Sequence, residues 1–149
     1  MGLREDVGRG RTGIDSSVVI YFIEEHPKFL AIIQRLFDEA DAGSRELVTS
    51  ALTLLEVMVV PYRAGNIELA ARYEAILTNS RGISLIDISR EQLRDAAQLR
   101  AATGLRTPDA LQLAAAIAAG CTTFVTNDRR IPSVTGMRVL QLQDYLQPV

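Results

Sequence analysis

The chain has 149 residues, enough for one domain with a sizeable core, and 48% of them are hydrophobic, the balance of a globular protein. Its net charge of −2 excludes a basic nucleic-acid binder as a whole but leaves room for a local basic patch, and Lys28 is the only lysine among its cations. One cysteine (Cys121) excludes an internal disulfide, and with a single histidine (His26) the chain lacks the ligands of a zinc site and most routes to a Ser-His or Cys-His catalyst.

Met1 to Gly13 is charged and Gly-rich, without the apolar stretch of a secretory signal, and is expected to be a flexible or atypical segment ahead of one domain over residues 14–149. No apolar run approaches the ~18 residues of a membrane span, so a cytoplasmic protein is expected. Gly8 to Gly13 matches G-x-G-x-x-G in form, but no strand precedes it and no helix opens from it, as a dinucleotide site requires. Ile14 and Asp15 end a short strand, and Val18 to Glu24 reads as a short helix. Pro27 suits the start of a helix over Lys28 to Ala42, where Phe29, Ile32, Ile33, Leu36 and Phe37 recur at helical spacing. Glu46 to Thr49 reads as a strand. Ser50 caps an apolar helix from Ala51 to Ala64, and Asn66 caps the next, to Thr78. Ile83 to Ile88 is a strand, and Ser89 with Gln92 opens a helix to Thr103. Thr107 and Pro108 start another, ending at Gly120. Thr122 to Thr126 and Met137 to Leu140 are the last strands, before a terminal turn. Strands of this length alternating with helices imply an α/β fold with a mainly parallel sheet, whose site lies beyond the carboxyl ends of the strands.

Carboxylates fall where that rule directs attention. Asp15 closes the first strand, Asp128 follows the Thr122 to Thr126 strand, and Asp109 sits in the first turn of the helix opened by Thr107 and Pro108. Each has a structural reading: helix cap, turn residue and favourable partner of a helix macrodipole. Glu56 differs, because it interrupts the apolar run from Leu52 to Val60 with no Lys or Arg three or four residues away. That helix is expected to be largely buried, where a carboxylate costs several kcal/mol unless it is paired or binds a metal. Carboxylates gathered at one sheet edge repel unless cations or protons intervene, and hard oxygen ligands suit Mg²⁺ or Mn²⁺.

Four pieces in this order resemble the PIN-domain nucleases: Ile14-Asp15-Ser16-Ser17-Val18-Val19, the stretch from Thr49 to Val57 around Glu56, Leu105-Arg106-Thr107-Pro108-Asp109 continuing to Ala114, and Val125-Thr126-Asn127-Asp128-Arg129-Arg130. The resemblance runs from Ile14 to the C-terminus and rests on the ordered set, no single piece being diagnostic. It implies a three-layer α/β/α fold with a five-stranded, mainly parallel sheet. It places Asp15, Glu56, Asp109 and Asp128 in an acidic Mg²⁺ or Mn²⁺ site, with Ser17 and Thr126 as supporting hydroxyls. It further implies an endoribonuclease resembling the VapC-type toxins, with a cognate antitoxin, a homodimer and RNA as substrate. Arg106, Arg129 and Arg130 flank the acidic positions as candidate RNA-phosphate contacts. Apolar residues such as Val59, Val60 and Tyr62 are candidates for a dimer or antitoxin surface, though core is the commoner role. In the family several apolar residues normally precede the first Asp, whereas here only Ile14 does, so the first strand is expected to be short.

Alternative readings are an RNA-processing nuclease outside a toxin–antitoxin pair, a non-catalytic RNA-binding or scaffold module, and an Asp-dependent phosphoryl-transfer protein. The last normally needs a lysine near the phosphoryl group, and Lys28 follows the first strand rather than a late one.

Overall fold

The computed structural model describes residues 2–134 and 136–147. Five short strands form one sheet: β1 (Thr12–Ile14), β2 (Leu47–Ser50), β3 (Ile83–Ile86), β4 (Thr123–Thr126) and β5 (Arg138–Gln141). Their order is β3-β2-β1-β4-β5, and every neighbouring pair is parallel. Among the described residues, α1 (Leu3–Val7) precedes β1, and six α-helices fill connections between strands: α2 (Ser16–Ile23), α3 (Leu30–Asp41), α4 (Leu52–Arg63), α5 (Ile67–Asn79), α6 (Arg90–Thr103) and α7 (Thr107–Ala118). A 3₁₀ turn, Leu142–Tyr145, follows β5. The expected three-layer α/β/α architecture is therefore the observed one. No helix is long and apolar enough to cross a membrane among the described residues.

The two-residue period of the strands divides the core. Ile14, Leu47, Val125 and Leu140 pack into one layer with Val18, Ile33, Leu36 and Leu77, while Val48 and Phe124 face Leu105, Ala110, Leu113 and Ala114 in the other. Gly13 is needed where helix and sheet come closest: a Cβ there would lie 2.7 Å from the Ala116 Cβ and 2.8 Å from Phe124 Cδ1. Local chemistry starts several helices as expected. The Asn66 side chain accepts from the Leu69 N–H, and Ser89 accepts from the Gln92 N–H, both at 3.1 Å. Ser50 ends β2, and its hydroxyl accepts from the Leu52 N–H at 3.1 Å, although the residue that caps α4 is Ala51.

Two expectations need revision. The segment before Ile14 is not loose where the structure describes it: Leu3 and Val7 are buried in the core, and β1 begins at Thr12. Arg4 pairs with Glu39 (2.5 Å), which also takes the buried Arg45 (2.9 Å), and Arg45 donates to Thr12 Oγ1 (3.2 Å). These contacts tie α1, α3 and β1 together, and those from Arg4 to Glu39 and from Arg45 to Thr12 join residues too distant in sequence to be read from it. The short first strand is as expected. The second revision concerns α4, which is not largely buried. Only Thr53, Val57 and Pro61 are buried there, and Leu55, Val60 and Tyr62 are 60%, 60% and 54% exposed.

The strand order places the site. From β1 the chain steps outward to β2 and β3, then returns across β1 to β4. The carboxyl ends of β1 and β4 thus meet at the point where the order reverses, where open α/β sheets hold their ligands.

Candidate active site

The register at that point pairs Ile14 with Val125, so the residues that follow, Asp15 and Thr126, lie side by side. Asp15 caps α2, and its Oδ1 accepts from the Val18 N–H at 3.2 Å and the Ser17 hydroxyl at 2.5 Å. The Thr126 hydroxyl donates to Asp15 Oδ2 and accepts from the Asp128 N–H at 3.0 Å. One hydroxyl therefore ties the first carboxylate to the loop carrying the last. Asp109 is in the first turn of α7, and Glu56 is on the second turn of α4. A cleft of about 580 Å³ is lined by Asp15, Glu56, Asp109 and Asp128 together with Ser17, Arg106 and Arg130. The structure thus brings together all four acidic residues singled out from the sequence.

Their electrostatics differ. Burial pushes Asp15 up from the usual carboxylate range; Ser17, Thr126 and Val18 oppose this, and Asp109 adds to it. Burial also raises Glu56, with Asp15 and Asp109 pushing the same way against a hydrogen bond from Ser16. Asp109 is raised by burial and by Asp128, against the pull of Arg106 and Arg130. Asp128 alone is lowered, because Arg130 clamps it with bonds of 2.9 and 2.7 Å. Arg106 reaches both Asp109 (3.6 Å) and Asp128 (3.8 Å). The charged groups acting on Asp15 and Glu56 are other carboxylates, which, with burial, favour the neutral form of both.

That donor set fits a hard divalent cation. Among the described residues no three acidic, imidazole or thiol groups stand close enough to ligate one ion together. An ion would meet one or two carboxylates at a time, and Mg²⁺ is commonly held that way with water completing its shell.

Arg129 does not line this cleft. It turns to the terminal 3₁₀ segment, bonding Gln143 Oε1 (3.2 Å) and Asp144 Oδ1 (2.7 Å). Sequence reasoning gave no role to Gln112, which is buried and borders the cleft. Its Oε1 accepts from Thr49 Oγ1 (3.2 Å) and the Ser50 N–H (3.1 Å), and its Nε2 donates to Thr53 Oγ1 (2.8 Å). Thr53 and Thr49 close the ring at 2.7 Å. Gln112 lies three residues after Asp109, and Thr53 three before Glu56, so the ring braces the faces of α7 and α4 that carry those carboxylates. A polar residue inside the buried run Ala110 to Ala116 is the same kind of signal that drew attention to Glu56.

A family model for the PIN domain matches residues 14–137. No curated protein matches the chain significantly. Among solved structures, VapBC2 from Rickettsia felis, bound to a DNA fragment from their promoter, matches with 20% identity and TM-score 0.64, over 87% of this chain and 97% of that one. A toxin–antitoxin complex from Klebsiella pneumoniae matches with 20% identity and TM-score 0.63, over 89% and 97%. VapC20 of Mycobacterium tuberculosis, a toxin that cleaves the sarcin-ricin loop, matches with 16% identity and TM-score 0.60, over 76% and 86%. At these identities the likeness is one of fold.

Proposed function

Because the chain belongs to the PIN domain family, we propose that it is a metal-dependent endoribonuclease and the cytoplasmic toxin of a type II toxin–antitoxin pair. The observation that carries this is the convergence of Asp15, Glu56, Asp109 and Asp128, from separate elements, on one cleft at the reversal of the strand order. Structural neighbours that are toxin–antitoxin complexes, and one that cuts the sarcin-ricin loop, support an antitoxin partner and an RNA substrate. One or two of these carboxylates would ligate Mg²⁺ or Mn²⁺ directly and the others would meet its waters; when bound, the ion supplies an activated water and stabilises the leaving oxygen. Ser17 and Thr126 fix both oxygens of Asp15, so its carboxylate is oriented in advance. Arg106 and Arg130 face the cleft over Asp109 and Asp128, where they can take an RNA phosphate when the carboxylates are otherwise engaged. The exposed apolar residues of α4 suit a homodimer.

The test is cleavage of tRNAs, rRNA fragments and single-stranded RNAs in Mg²⁺, in Mn²⁺ and in EDTA, beside Asp15→Asn and Asp109→Asn with matched circular dichroism. Metal-dependent cutting that both variants abolish is expected. Cutting that survives in both would come from another protein, and a wild type that binds no Mn²⁺ by calorimetry would leave an RNA-binding scaffold as the better reading.

A further inference from the structure

A second pocket, of about 540 Å³, adjoins the acidic cleft and shares Asn127 with it. That volume lies within the ~300–1,000 Å³ of small-ligand sites. Its polarity is the reverse of the cleft's. Lys28, the only lysine of the chain, and Arg129 line it, with Phe29 and Leu146 as apolar walls. The Arg129 guanidinium is paired with Asp144, but the two side chains are 56% and 58% exposed, so this is a solvent-screened pair that a phosphate can displace.

Two further groups border the pocket. His26 Nδ1 accepts from the Lys28 N–H (3.1 Å) and the Phe29 N–H (3.3 Å), which leaves Nε2–H as the donor of the ring. The ring is held in place against Tyr21 and Phe29, at centroid distances of 4.7 and 4.9 Å. Asn127 spends one end of its amide on the Tyr21 hydroxyl at 3.1 Å, and its Oδ1 is buried without a partner among the described residues. Tyr21 OH can either donate or accept, so whichever way the amide is turned, one end stays unpartnered. A buried polar group in that state costs free energy until something bonds to it.

We infer that this pocket holds the nucleotide of a single-stranded RNA next to the scissile phosphate, with its phosphate on Lys28, Arg129 and His26 and its base edge on Asn127 once that amide turns out of its buried position. The inference rests on the nuclease reading and adds the path of the strand: out of the carboxylate cleft, past Asn127, toward α3. A base offers both donors and acceptors along its edge, which an amide end can meet, while Phe29 and Leu146 give its plane an apolar surface.

The test is fluorescence anisotropy of a short, mixed-sequence, fluorescein-labelled single-stranded RNA, with Ca²⁺ replacing Mg²⁺ and salt varied. The variants are Lys28→Ala with Arg129→Gln, Asn127→Ala, and Arg72→Ala on α5 as a surface control. The double variant is expected to weaken binding about tenfold and to flatten the plot of log affinity against log salt by about 0.7, the contribution of one phosphate contact on a single strand. Asn127→Ala is expected to weaken binding with the slope unchanged, since it removes no charge. Equal affinity and slope for wild type and the double variant would overturn the subsite while leaving the nuclease reading intact. An equal loss in Arg72→Ala would overturn it too, by reducing the effect to general surface charge. A wild type that binds no RNA at any salt would bring down both readings.

Discussion

Asp15 is held between opposing forces. Burial favours its neutral form, while hydrogen bonds from Ser17, Thr126 and the Val18 N–H favour the charged form that a metal site requires. Thr126 contributes twice, since its oxygen also accepts the Asp128 N–H. Thr126→Val removes a bond that lowers the Asp15 pKa, so that pKa rises further and a higher pH is needed to ionise the group. The acid limb of the pH–rate profile should therefore move to higher pH, with activity at neutral pH down by about 10–100-fold, the usual cost of losing an outer-shell partner. Thr126→Ser keeps the hydroxyl and should restore the limb. A Thr126→Val profile superimposable on wild type would show that the hydroxyl does not tune Asp15.

Between elements, the ring formed by Gln112, Thr49 and Thr53 couples α7, β2 and α4. Gln112→Leu has similar size but leaves the Ser50 N–H without its partner and the Thr49 and Thr53 hydroxyls with only each other. An unsatisfied buried group costs about 1–3 kcal/mol, so a loss of that order in urea unfolding is expected. RNA cleavage should fall as well, because Glu56 and Asp109 lose their common brace. A variant as stable as wild type would show that the ring is dispensable. This ring also marks the limit of what the sequence discloses. Helix starts at Asn66 and Ser89 were legible because a cap bonds residues two or three positions away. The carboxylates were legible because each follows a strand or opens a helix, except Glu56, which broke an apolar pattern. Contacts between distant residues were not legible: Arg45 to Thr12 anchors the short first strand, and Asp144 draws Arg129 away from the cleft. The apolar run of α4 was misread because composition does not say whether a hydrophobic face meets the core or remains open.

That open face is the question at the scale of the whole molecule. Among the described residues, five of the nine large hydrophobics that are exposed fall between Leu55 and Ile67. Leu55, Val59 and Tyr62 follow one another at helical spacing, so they form a stripe along α4 rather than scattered exposure. A continuous apolar stripe left open on a domain's surface marks an association surface. In a two-fold dimer the same patch serves both subunits, so a single substitution acts twice across the interface. Leu55→Glu with Tyr62→Glu would oppose carboxylates of the two copies and should convert a dimer to a monomer in sedimentation velocity, with unchanged circular dichroism because these side chains lie outside the core. The stripe runs on the helix that presents Glu56, so comparing cleavage by the resulting monomer with that of the dimer asks whether association also holds that carboxylate in position. A wild type that sediments as a monomer would reject the homodimer, and the stripe would then be tested against the antitoxin by co-purification.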